Sequence, residues 1–257
     1  MNSNNKITLI AAINKWSVAE QNLLRSPLLQ TKDVQFIPAE GFASASQAYN
    51  HGIREATGNL LIFVHQDVYI PTNWKKQLLE SITIVENLAE AWAVLGVIGV
   101  DKSSSIKGLC WSTGIGREVG TPVREPERTV SLDELILVVN KRSGLFFDDN
   151  LPGWHLYGTD IVQSALEQKL GAYVIHAPLI HNSLPCLRYD AGFAECYRYL
   201  RHKWAQRLPV KTCCTKLTRF GWPFIKARIR QMLVAEDKNT YKRLKDPVAK
   251  ANELGYE

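Results

Sequence analysis

Short apolar runs alternate with segments of helical spacing along the first hundred residues. The runs are rich in β-branched residues and show no polar alternation; they cover residues 6–14, 34–38 and 60–64. Such runs are typical of strands covered on both faces. Between the last two runs, residues 44–57 have helical spacing, with Ser44 as the predicted N-cap. The pattern predicts βαβ units in a parallel sheet, with ligands at the carboxyl ends of the strands.

The hydrophobic pattern also predicts elements along the rest of the chain. It predicts a helix over 73–89, a buried strand over 92–100, an irregular excursion over 101–130, a strand over 134–140, a helix over 159–168, a final strand over 172–177 and cationic helices from 189 onward. We therefore predict an α/β domain over residues 1–184, with a mostly parallel sheet between helices. A basic, mainly helical extension follows over residues 185–257.

Charge separates these two parts. The net charge of +6 divides into −3 for residues 1–184 and +9 for residues 185–257. Hydrophobic residues make up 46% and charged residues 22%, which is ordinary for a globular chain and excludes intrinsic disorder. The polar start and the lack of a long apolar run predict a cytoplasmic protein. Five cysteines without a CxxC pair predict reduced thiols rather than a zinc site or a disulfide framework.

The most informative motif joins the predicted helix to the strand after it. It reads Ser44-x-Ser46-x-Ala48-Tyr49-Asn50-x-Gly52, continues through Leu60-Leu61-Ile62-Phe63-Val64 and ends in His65-Gln66-Asp67-Val68. Over roughly residues 6–183 the chain resembles the nucleotide-sugar glycosyltransferases of GT-A fold, in particular the large inverting family two. His65-Gln66-Asp67 stands at the family's Asp-x-Asp motif, with His in the first acidic position. The resemblance implies a GT-A-like fold and a nucleotide-sugar donor, with a UDP-sugar favoured.

Asp67 is the predicted ligand of a divalent cation, Mg²⁺ or Mn²⁺. A carboxylate at a strand end can hold such an ion against the charge that develops on a departing diphosphate. The alternative is a polar strand terminus before a turn. His65 is expected either to contact the nucleotide or to be a buried structural histidine.

The resemblance implies further donor contacts. Asn14 stands where the family receives the nucleotide base, and Glu40 where it places an acid that reads the base or ribose; a solvated loop glutamate is the alternative for Glu40. Tyr49 and Asn50 occupy the helix motif, and Gln66 lies between the two metal-motif positions.

A second constellation resembles the family's acceptor half. It comprises Phe146-Phe147-Asp148-Asp149-Asn150, Trp154-His155-Leu156-Tyr157-Gly158-Thr159-Asp160 and Pro178-x-x-His181. The resemblance implies that Asp160 is the general base that inversion requires. The alternative is helix capping, with Thr159 as N-cap and Asp160 in the first turn.

Three more side chains of this constellation are candidates for the site. The aromatic and imidazole groups of Trp154, His155 and Tyr157 are expected to bind the acceptor sugar, or else to pack in the core. His181 is expected to complete the metal site, or to be a structural histidine.

The basic extension points to a partner. Between Arg198 and Arg230 there are ten Lys or Arg residues and no acid, interleaved with aromatic residues. This composition favours an anionic membrane surface on the inner face of the cell membrane, ahead of a solvated or oligomer-forming tail. Nucleic acid is the least favoured partner, because no nucleic-acid-binding signature accompanies the charges.

The sequence as a whole predicts a metal-dependent inverting glycosyltransferase of the hexosyltransferase type. It would move sugar from a nucleotide-diphosphate sugar to a saccharide or lipid-linked saccharide, in bacterial surface polysaccharide synthesis. The alternative is a non-enzymatic basic module, binding membrane or nucleic acid, on a degenerate transferase fold.

Overall fold

The computed structural model of the chain describes residues 6–88, 90–185, 189–233 and 242–257. Its helices are α1 (Trp16–Gln21), α2 (Ala45–Glu55), α3 (Trp74–Glu86), α4 (Tyr157–Glu167), α5 (Ala191–Lys203), α6 (Trp222–Leu233) and α7 (Pro247–Glu253). Its strands are β1 (Ile7–Ala12), β2 (Val34–Ala39), β3 (Leu60–His65), β4 (Val68–Tyr69), β5 (Trp92–Gly96), β6 (Ile98–Val100), β7 (Ile106–Gly108), β8 (Cys110–Ser112), β9 (Arg117–Val119), β10 (Glu127–Arg128), β11 (Ser131–Leu132), β12 (Ile136–Asn140), β13 (Gly171–Val174), β14 (Ile180–His181), β15 (Val210–Lys211) and β16 (Lys216–Leu217). Short 3₁₀ turns lie at Leu23–Arg25, Pro27–Gln30, Lys141–Ser143 and Ala205–Arg207.

A seven-stranded sheet in the order β10-β13-β5-β12-β3-β1-β2 forms the centre of the molecule. Strands β1, β2 and β3 are parallel neighbours, and β5 and β13 form a second parallel pair. Strand β12 lies between these groups and is antiparallel to both of its neighbours, and β10 is antiparallel at the edge. This arrangement confirms the predicted α/β class with a mostly parallel sheet.

Strands β1 and β3 are buried on both faces, as their lack of polar alternation predicts, whereas β2 lies at the edge of the sheet and is only partly buried. Leu9 and Ile62 lie in one hydrophobic layer, with residues of α1 and α3. Ile10 and Leu61 lie in the opposite layer, with residues of α2, α4 and α5. Neighbouring residues of a strand point to opposite faces, so each strand supplies both layers.

The segment 92–100 differs from the prediction, because it forms two strands rather than one. Strand β5 belongs to the central sheet, while β6 joins a three-stranded sheet with β7 and β11. A Cβ at Gly96 would lie 2.8 Å from the Leu132 side chain. The glycine therefore lets β11 cross close to the end of β5, where the chain changes sheet.

The excursion over 101–130 also differs from the prediction. It contains β7, β8, β9 and β10, each two or three residues long. Strands β8 and β9 join β4 and β14 in a four-stranded sheet beside the central one. Such short strands carry too few residues for a periodic pattern to show.

Within its described residues the basic extension is mainly helical, as predicted, and it packs onto the central domain. Phe193, Tyr197, Leu200 and Trp204 belong to the same hydrophobic layer as Leu156 near the start of α4. The predicted division at residue 184 therefore coincides with a change of charge, while the hydrophobic core continues across it.

The last residues, 242–257, form a segment that we call the C-terminal strap. It contains α7 and packs on the four-stranded sheet, where Ala251 and Tyr256 contact the cluster of Tyr69 and Ile180. Within the described ranges, no helix combines the length and the apolar character needed to cross a membrane. Cys110 is a buried thiol, as predicted, and Cys186 lies outside the described residues.

Candidate functional site

A cavity of about 470 Å³ opens at the carboxyl ends of β1, β2 and β3. It is lined by Ala12, Ile13, Asn14, Ala39, Gly41, Phe42, Tyr49, His65, Gln66, Asp67, Trp154 and Tyr157. Parallel strands bring their carboxyl ends to one edge of a sheet, which is where α/β proteins bind ligands. The cavity lies at the edge that the sequence pattern indicates, and seven of the predicted site residues line it.

His65, Asp67 and His181 form a cluster that could hold a metal ion. One ligand atom from each lies within 4.8 Å of the others. Asp67 immediately precedes β4, and β4 pairs with β14 so that Val68 faces His181. This pairing brings together residues that are more than a hundred positions apart in sequence.

The charges of the cluster favour an ionised carboxylate. Burial disfavours the charge on Asp67, but the hydrogen bond from His181 and the neighbouring charges outweigh it and hold the pKa of Asp67 well below its usual range. Burial and the charge of His181 lower the pKa of His65. Burial alone would lower the pKa of His181 as well, but the hydrogen bond and charge of Asp67 raise it overall.

This donor set fits a divalent cation. A carboxylate and two imidazoles give a mixed oxygen and nitrogen set, whereas Mg²⁺ prefers oxygen ligands throughout. Of the two ions predicted from the sequence, Mn²⁺ is therefore the better match. Imidazole must be neutral to bind a metal. The lowered pKa of His65 favours that form, whereas Asp67 raises the pKa of His181, so a metal ion would have to displace a proton there.

Gln66 and Asn14 join the ends of β3 and β1 at the cavity. Gln66 Nε2 donates to Asn14 Oδ1 at 2.6 Å. Gln66 Oε1 accepts from the backbone N–H groups of Asn14 and Lys15, at 3.2 and 3.0 Å. The amide pair holds the rim of the cavity in a defined shape, and both residues stay candidates for donor contacts.

Two tyrosines lie behind the cluster. Tyr157 Oη is 2.9 Å from His65 Nε2 and donates to the backbone oxygen of Glu134 at 3.2 Å. Tyr49 Oη lies 3.5 Å from Tyr157 Oη. Both tyrosines line the cavity and are almost fully buried. Because Tyr157 holds His65, it orients a candidate metal ligand.

The three predicted acceptor residues are placed differently from one another. Trp154 lines the cavity and is 41% exposed, so its ring is accessible for stacking on a sugar. Tyr157 lines the cavity from the inside. His155 is not among the lining residues; its Nε2 lies 3.6 Å from Asp190 and its ring packs on Phe193. The structure therefore does not bring His155 to the cavity.

Asp160, the predicted base, is buried and paired. Lys203 Nζ lies 2.9 Å from the carboxylate, and Trp204 Nε1 donates to it at 2.8 Å. Burial raises the pKa of Asp160, against the lowering effects of Lys203 and Trp204. Asp160 does not line the cavity, because α5 of the basic extension covers it. Its role as base stays a prediction, and these contacts favour a structural role.

The alternative prediction, with Thr159 as the N-cap of α4, is wrong. Leu156, with φ of 63°, occupies the N-cap position of α4, so Thr159 is not the N-cap. Thr159 lies inside the first turn, where its Oγ1 is 2.8 Å from Ser131 Oγ. Asp160 does lie in the first turn, as that alternative supposed.

Two predicted donor residues lie away from the cavity lining. Asn50 is buried, and its amide group donates to Phe147 O at 2.8 Å and accepts from Phe147 N at 2.9 Å. It therefore braces the segment before α4. Glu40 is exposed beside Ala39 and Gly41, which line the cavity; this position matches the solvated alternative for its side chain.

Two residues near the site were missed by sequence reasoning. Arg243 Nη2 lies 3.3 Å from Asp67 Oδ2. The carboxyl group of Glu134 accepts hydrogen bonds from the backbone N–H groups of Leu156 and Gly158, and burial together with the charge of Asp133 raises its pKa to about 8. No local motif marks either residue, since both reach the site through tertiary contacts.

Comparisons with known proteins give distant likenesses. No protein-family profile matches the chain. A curated protein of Fuscovulum blasticum, named ATP synthase subunits region ORF 6, is 25% identical over 178 residues, which are 66% of this chain and 70% of that protein.

Two solved structures resemble the chain at low identity. The mannosyltransferase PcManGT of Pyrobaculum calidifontis, in complex with GDP-Man and Mn²⁺, is 11% identical with a TM-score of 0.49, over 79% of this chain and 64% of that one. TarS of S. aureus is 13% identical with a TM-score of 0.44, over 77% of this chain and 65% of that one. The chain thus spans slightly less than two thirds of either solved chain.

Proposed function

We propose that this protein is a metal-assisted inverting glycosyltransferase. It moves a sugar from a nucleotide-diphosphate sugar to a saccharide or lipid-linked saccharide acceptor in bacterial surface polysaccharide synthesis. The observation that carries the proposal is the cluster of His65, Asp67 and His181, of which His65 and Asp67 line a cavity at the ends of parallel strands. The resemblance of the His65-Gln66-Asp67 segment to the family's metal motif supports it.

The side chains at the cavity have distinct tasks in this reaction. A divalent cation, when bound, would neutralise the charge that develops on the diphosphate as the sugar departs. Asp67, with the two histidines, would hold that ion. Asn14 and Gln66 present amide groups to the nucleotide, and Trp154 offers an aromatic face to the sugar.

The transfer exchanges one bond at the anomeric carbon for another. The acceptor hydroxyl oxygen bonds to the anomeric carbon while the bond from that carbon to the phosphate oxygen breaks. The hydroxyl proton passes to a base on the side opposite the leaving group. Asp160 is the base that the sequence predicts.

Donor binding by the full-length protein tests the proposal. Thermal unfolding is measured with UDP-sugars and GDP-Man, each with Mn²⁺ and with EDTA, and release of the nucleoside diphosphate is followed in the same samples. A donor at about 100 times its dissociation constant adds about 2.7 kcal/mol to the free energy of unfolding. We expect at least one donor to stabilise the protein and to be slowly hydrolysed only when metal is present.

The alternative function predicts a different outcome. A non-enzymatic basic module would show neither metal-dependent stabilisation nor release of nucleoside diphosphate with any donor. That result, with the protein folded, would contradict the glycosyltransferase proposal.

Exposed apolar side chains on α6 and just before it support association with an anionic membrane. Phe220 and Trp222 are 72% and 69% exposed, and Ile225 and Ile229 are also exposed. Trp222, Ile225 and Ile229 are spaced three and four residues apart, so they share one side of the helix. We call the side chains of Phe220, Trp222, Ile225 and Ile229 the apolar stripe.

Cations accompany this stripe. Arg219, Lys226 and Arg230 are exposed on or beside α6, and no acid lies between Arg198 and Arg230. An apolar face combined with cations is the pattern of helices that lie in the plane of an anionic membrane interface. Such attachment would place the enzyme next to a lipid-linked acceptor.

A further inference from the structure

Arg243 of the C-terminal strap is held against the candidate metal cluster. Its Nη2 atom lies 3.3 Å from Asp67 Oδ2, and its Nε donates to the backbone oxygen of Asn182 at 2.9 Å. The side chain is 27% exposed, so the guanidinium is partly accessible to solvent. A guanidinium carries five N–H donors, so it can bind an anion while Nε remains anchored.

The strap is attached to the domain next to this arginine. Asn182 is buried and exchanges two hydrogen bonds with the backbone of Leu244, at 2.7 and 3.0 Å. Asp246 accepts from Arg25 at 2.9 Å. At the end of the strap, the Glu257 carboxylate accepts from the backbone N–H of Thr72 at 3.0 Å. These contacts hold Arg243 beside Asp67.

The cluster has an excess of positive charge once a divalent ion is considered. Among the described residues, Asp67 is the one carboxylate of the cluster, and it faces two imidazoles and a guanidinium. With both histidines neutral, a divalent ion together with Arg243 would exceed the charge of Asp67 by two positive charges, and by one when the more distant Asp133, which acts on both imidazoles, is counted as well. Excess positive charge beside an open cavity attracts an anion of matching charge. A diphosphate has that charge, and its oxygens match the planar fork of arginine.

We propose that Arg243 binds the diphosphate group of the nucleotide at the His65, Asp67 and His181 cluster. The proposal rests on the proposed function and adds a residue of the strap to its donor site. In the structure Arg243 pairs with Asp67. When metal and nucleotide bind, the guanidinium turns from the carboxylate to the phosphate oxygens, while Nε stays on Asn182.

Calorimetric titration of three proteins tests this assignment. Wild type, Arg243→Gln and the control Lys245→Gln are titrated with Mn²⁺ alone, then with UDP and with GDP at saturating Mn²⁺. Lys245 lies on the same strap and is exposed. Its variant therefore removes one positive charge from the strap without removing the guanidinium that contacts Asp67. We expect Arg243→Gln to weaken binding of the nucleoside diphosphate at least tenfold and Lys245→Gln to change it less than twofold.

The titration with Mn²⁺ alone separates a ligand contact from a loss of structure. Removing a cation from Asp67 should leave Mn²⁺ binding unchanged or make it tighter, whereas a collapsed site would lose it. If Arg243→Gln does not fold, Arg243→Lys keeps the charge without the planar fork and should weaken nucleotide binding about threefold or more.

The possible failures are distinct. If wild type binds nucleoside diphosphate with Mn²⁺ and the Arg243 variant binds it equally well, this inference is overturned and the proposed function stands. If wild type binds neither UDP nor GDP with Mn²⁺, the proposed function fails and the assignment of Arg243 fails with it.

Discussion

At the scale of single residues, Asp67 is the centre of the site. It contacts His181 at 3.4 Å and Arg243 at 3.3 Å, and it lines the cavity. The sequence marks this residue, because an acid that follows an apolar strand and precedes a short turn lies at the ligand edge of the sheet. The resemblance also marks His181 of β14, but nothing in the sequence marks Arg243 of the strap.

Asp67→Asn should abolish metal-dependent donor binding and leave the protein folded. Asparagine keeps the shape of the side chain but removes the charge that holds a cation. Calorimetry with Mn²⁺, and with donor in the presence of Mn²⁺, measures the loss. Asp33→Asn is the matched control, because Asp33 is a surface carboxylate paired with Lys75. Metal affinity equal to wild type in the Asp67 variant would remove this residue from the site.

Glu134 gives a prediction about pH and stability. Its pKa is raised to about 8 by burial and by Asp133, so the folded protein retains a proton that the unfolded chain releases at lower pH. The stability contributed by this proton is fully present below about pH 4.5 and is lost as the pH rises towards about 8. Glu134→Gln removes this titration and keeps one acceptor oxygen for the backbone N–H groups at the start of α4.

We therefore expect the melting temperature of Glu134→Gln to rise relative to wild type between pH 5 and pH 8. Each kcal/mol corresponds to roughly 2–4 °C for a domain of this size. Thermal unfolding at three pH values across that window measures the difference. A constant difference across the window would show that the Glu134 carboxyl group does not titrate there.

At the scale of elements, α4 and α5 are joined by a network of charges in which Asp160 is buried and Lys203 and Asp148 are partly buried. Lys203 Nζ contacts Asp160 at 2.9 Å and Asp148 at 2.7 Å, and Trp204 also donates to Asp160. Tyr199 donates to Asp148 at 2.6 Å. This network holds the basic extension against the domain. It also gives Lys203 two carboxylate partners, which the neighbouring residues of α5 do not provide.

Asp160→Asn distinguishes a structural carboxylate from a catalytic one. If Asp160 has a structural role and serves only to pair with Lys203 and Trp204, the variant should lose about 2 kcal/mol of unfolding free energy. Breaking a buried ion pair completely costs roughly 3–5 kcal/mol, and the loss is smaller here because Lys203 keeps Asp148 as a partner. Turnover per folded molecule should then stay within about threefold of wild type. Asp148→Asn, which removes the other partner of Lys203, should behave in the same way.

The opposite result would establish the catalytic role. A general base contributes about 10²–10⁴-fold to rate. A fall of turnover by about a hundredfold or more, with donor affinity and melting temperature near those of wild type, would support Asp160 as the base. Initial-rate kinetics and thermal unfolding on the same preparations separate the two outcomes.

At the scale of the whole molecule, the positive charge lies in an extension that shares the core. Some of these cations contact aromatic rings or acids within the protein. Arg207 lies over the Trp204 ring and Arg228 over the Phe224 ring. Lys203 pairs with the carboxylates of Asp148 and Asp160. Arg219, Lys226 and Arg230, on or beside α6, are exposed. Deleting everything after Ser183 would remove core residues such as Phe193 and Trp204, so point variants are the better test.

Flotation with vesicles tests the membrane association. Wild type should float with anionic vesicles and not with neutral ones at low salt, because each Lys or Arg near an anionic surface contributes about 1 kcal/mol. Binding should weaken as the Debye length falls from about 10 Å at 0.1 M to about 3 Å at 1 M salt. The double variant Phe220→Ser and Trp222→Ser should lose most of the binding.

The control for this experiment is another exposed apolar residue. Ile115 is 50% exposed and lies far along the chain from α6, so Ile115→Ser should float as wild type does. Equal flotation of the double variant and wild type would overturn the assignment of the apolar stripe. Binding to duplex nucleic acid but not to anionic vesicles would favour the nucleic-acid alternative instead.

The sequence by itself determined the central strands and the ligand edge. Burial on both faces produces a recognisable local pattern, a β-branched apolar run without polar alternation, and β1 and β3 show it. Strand β2 was predicted from a similar run, although it lies at the sheet edge and is only partly buried. Polar residues just after such runs must lie at the carboxyl edge, so Asn14, His65 and Asp67 could be predicted to face one cavity. The start of α2 was also predictable, because Ser44 accepts from the backbone N–H of Gln47 within one turn.

Only the tertiary structure decided which other residues come together with Asp67 and which candidates are kept away from the cavity. His181 joins Asp67 through the pairing of β4 with β14, and Arg243 joins it through the strap, at a sequence separation of 176 residues. Asp160 is covered because α5 packs over it, and Asn50 faces a backbone segment instead of the cavity. Contacts of this kind depend on how distant segments pack, and no local pattern of residues records that packing.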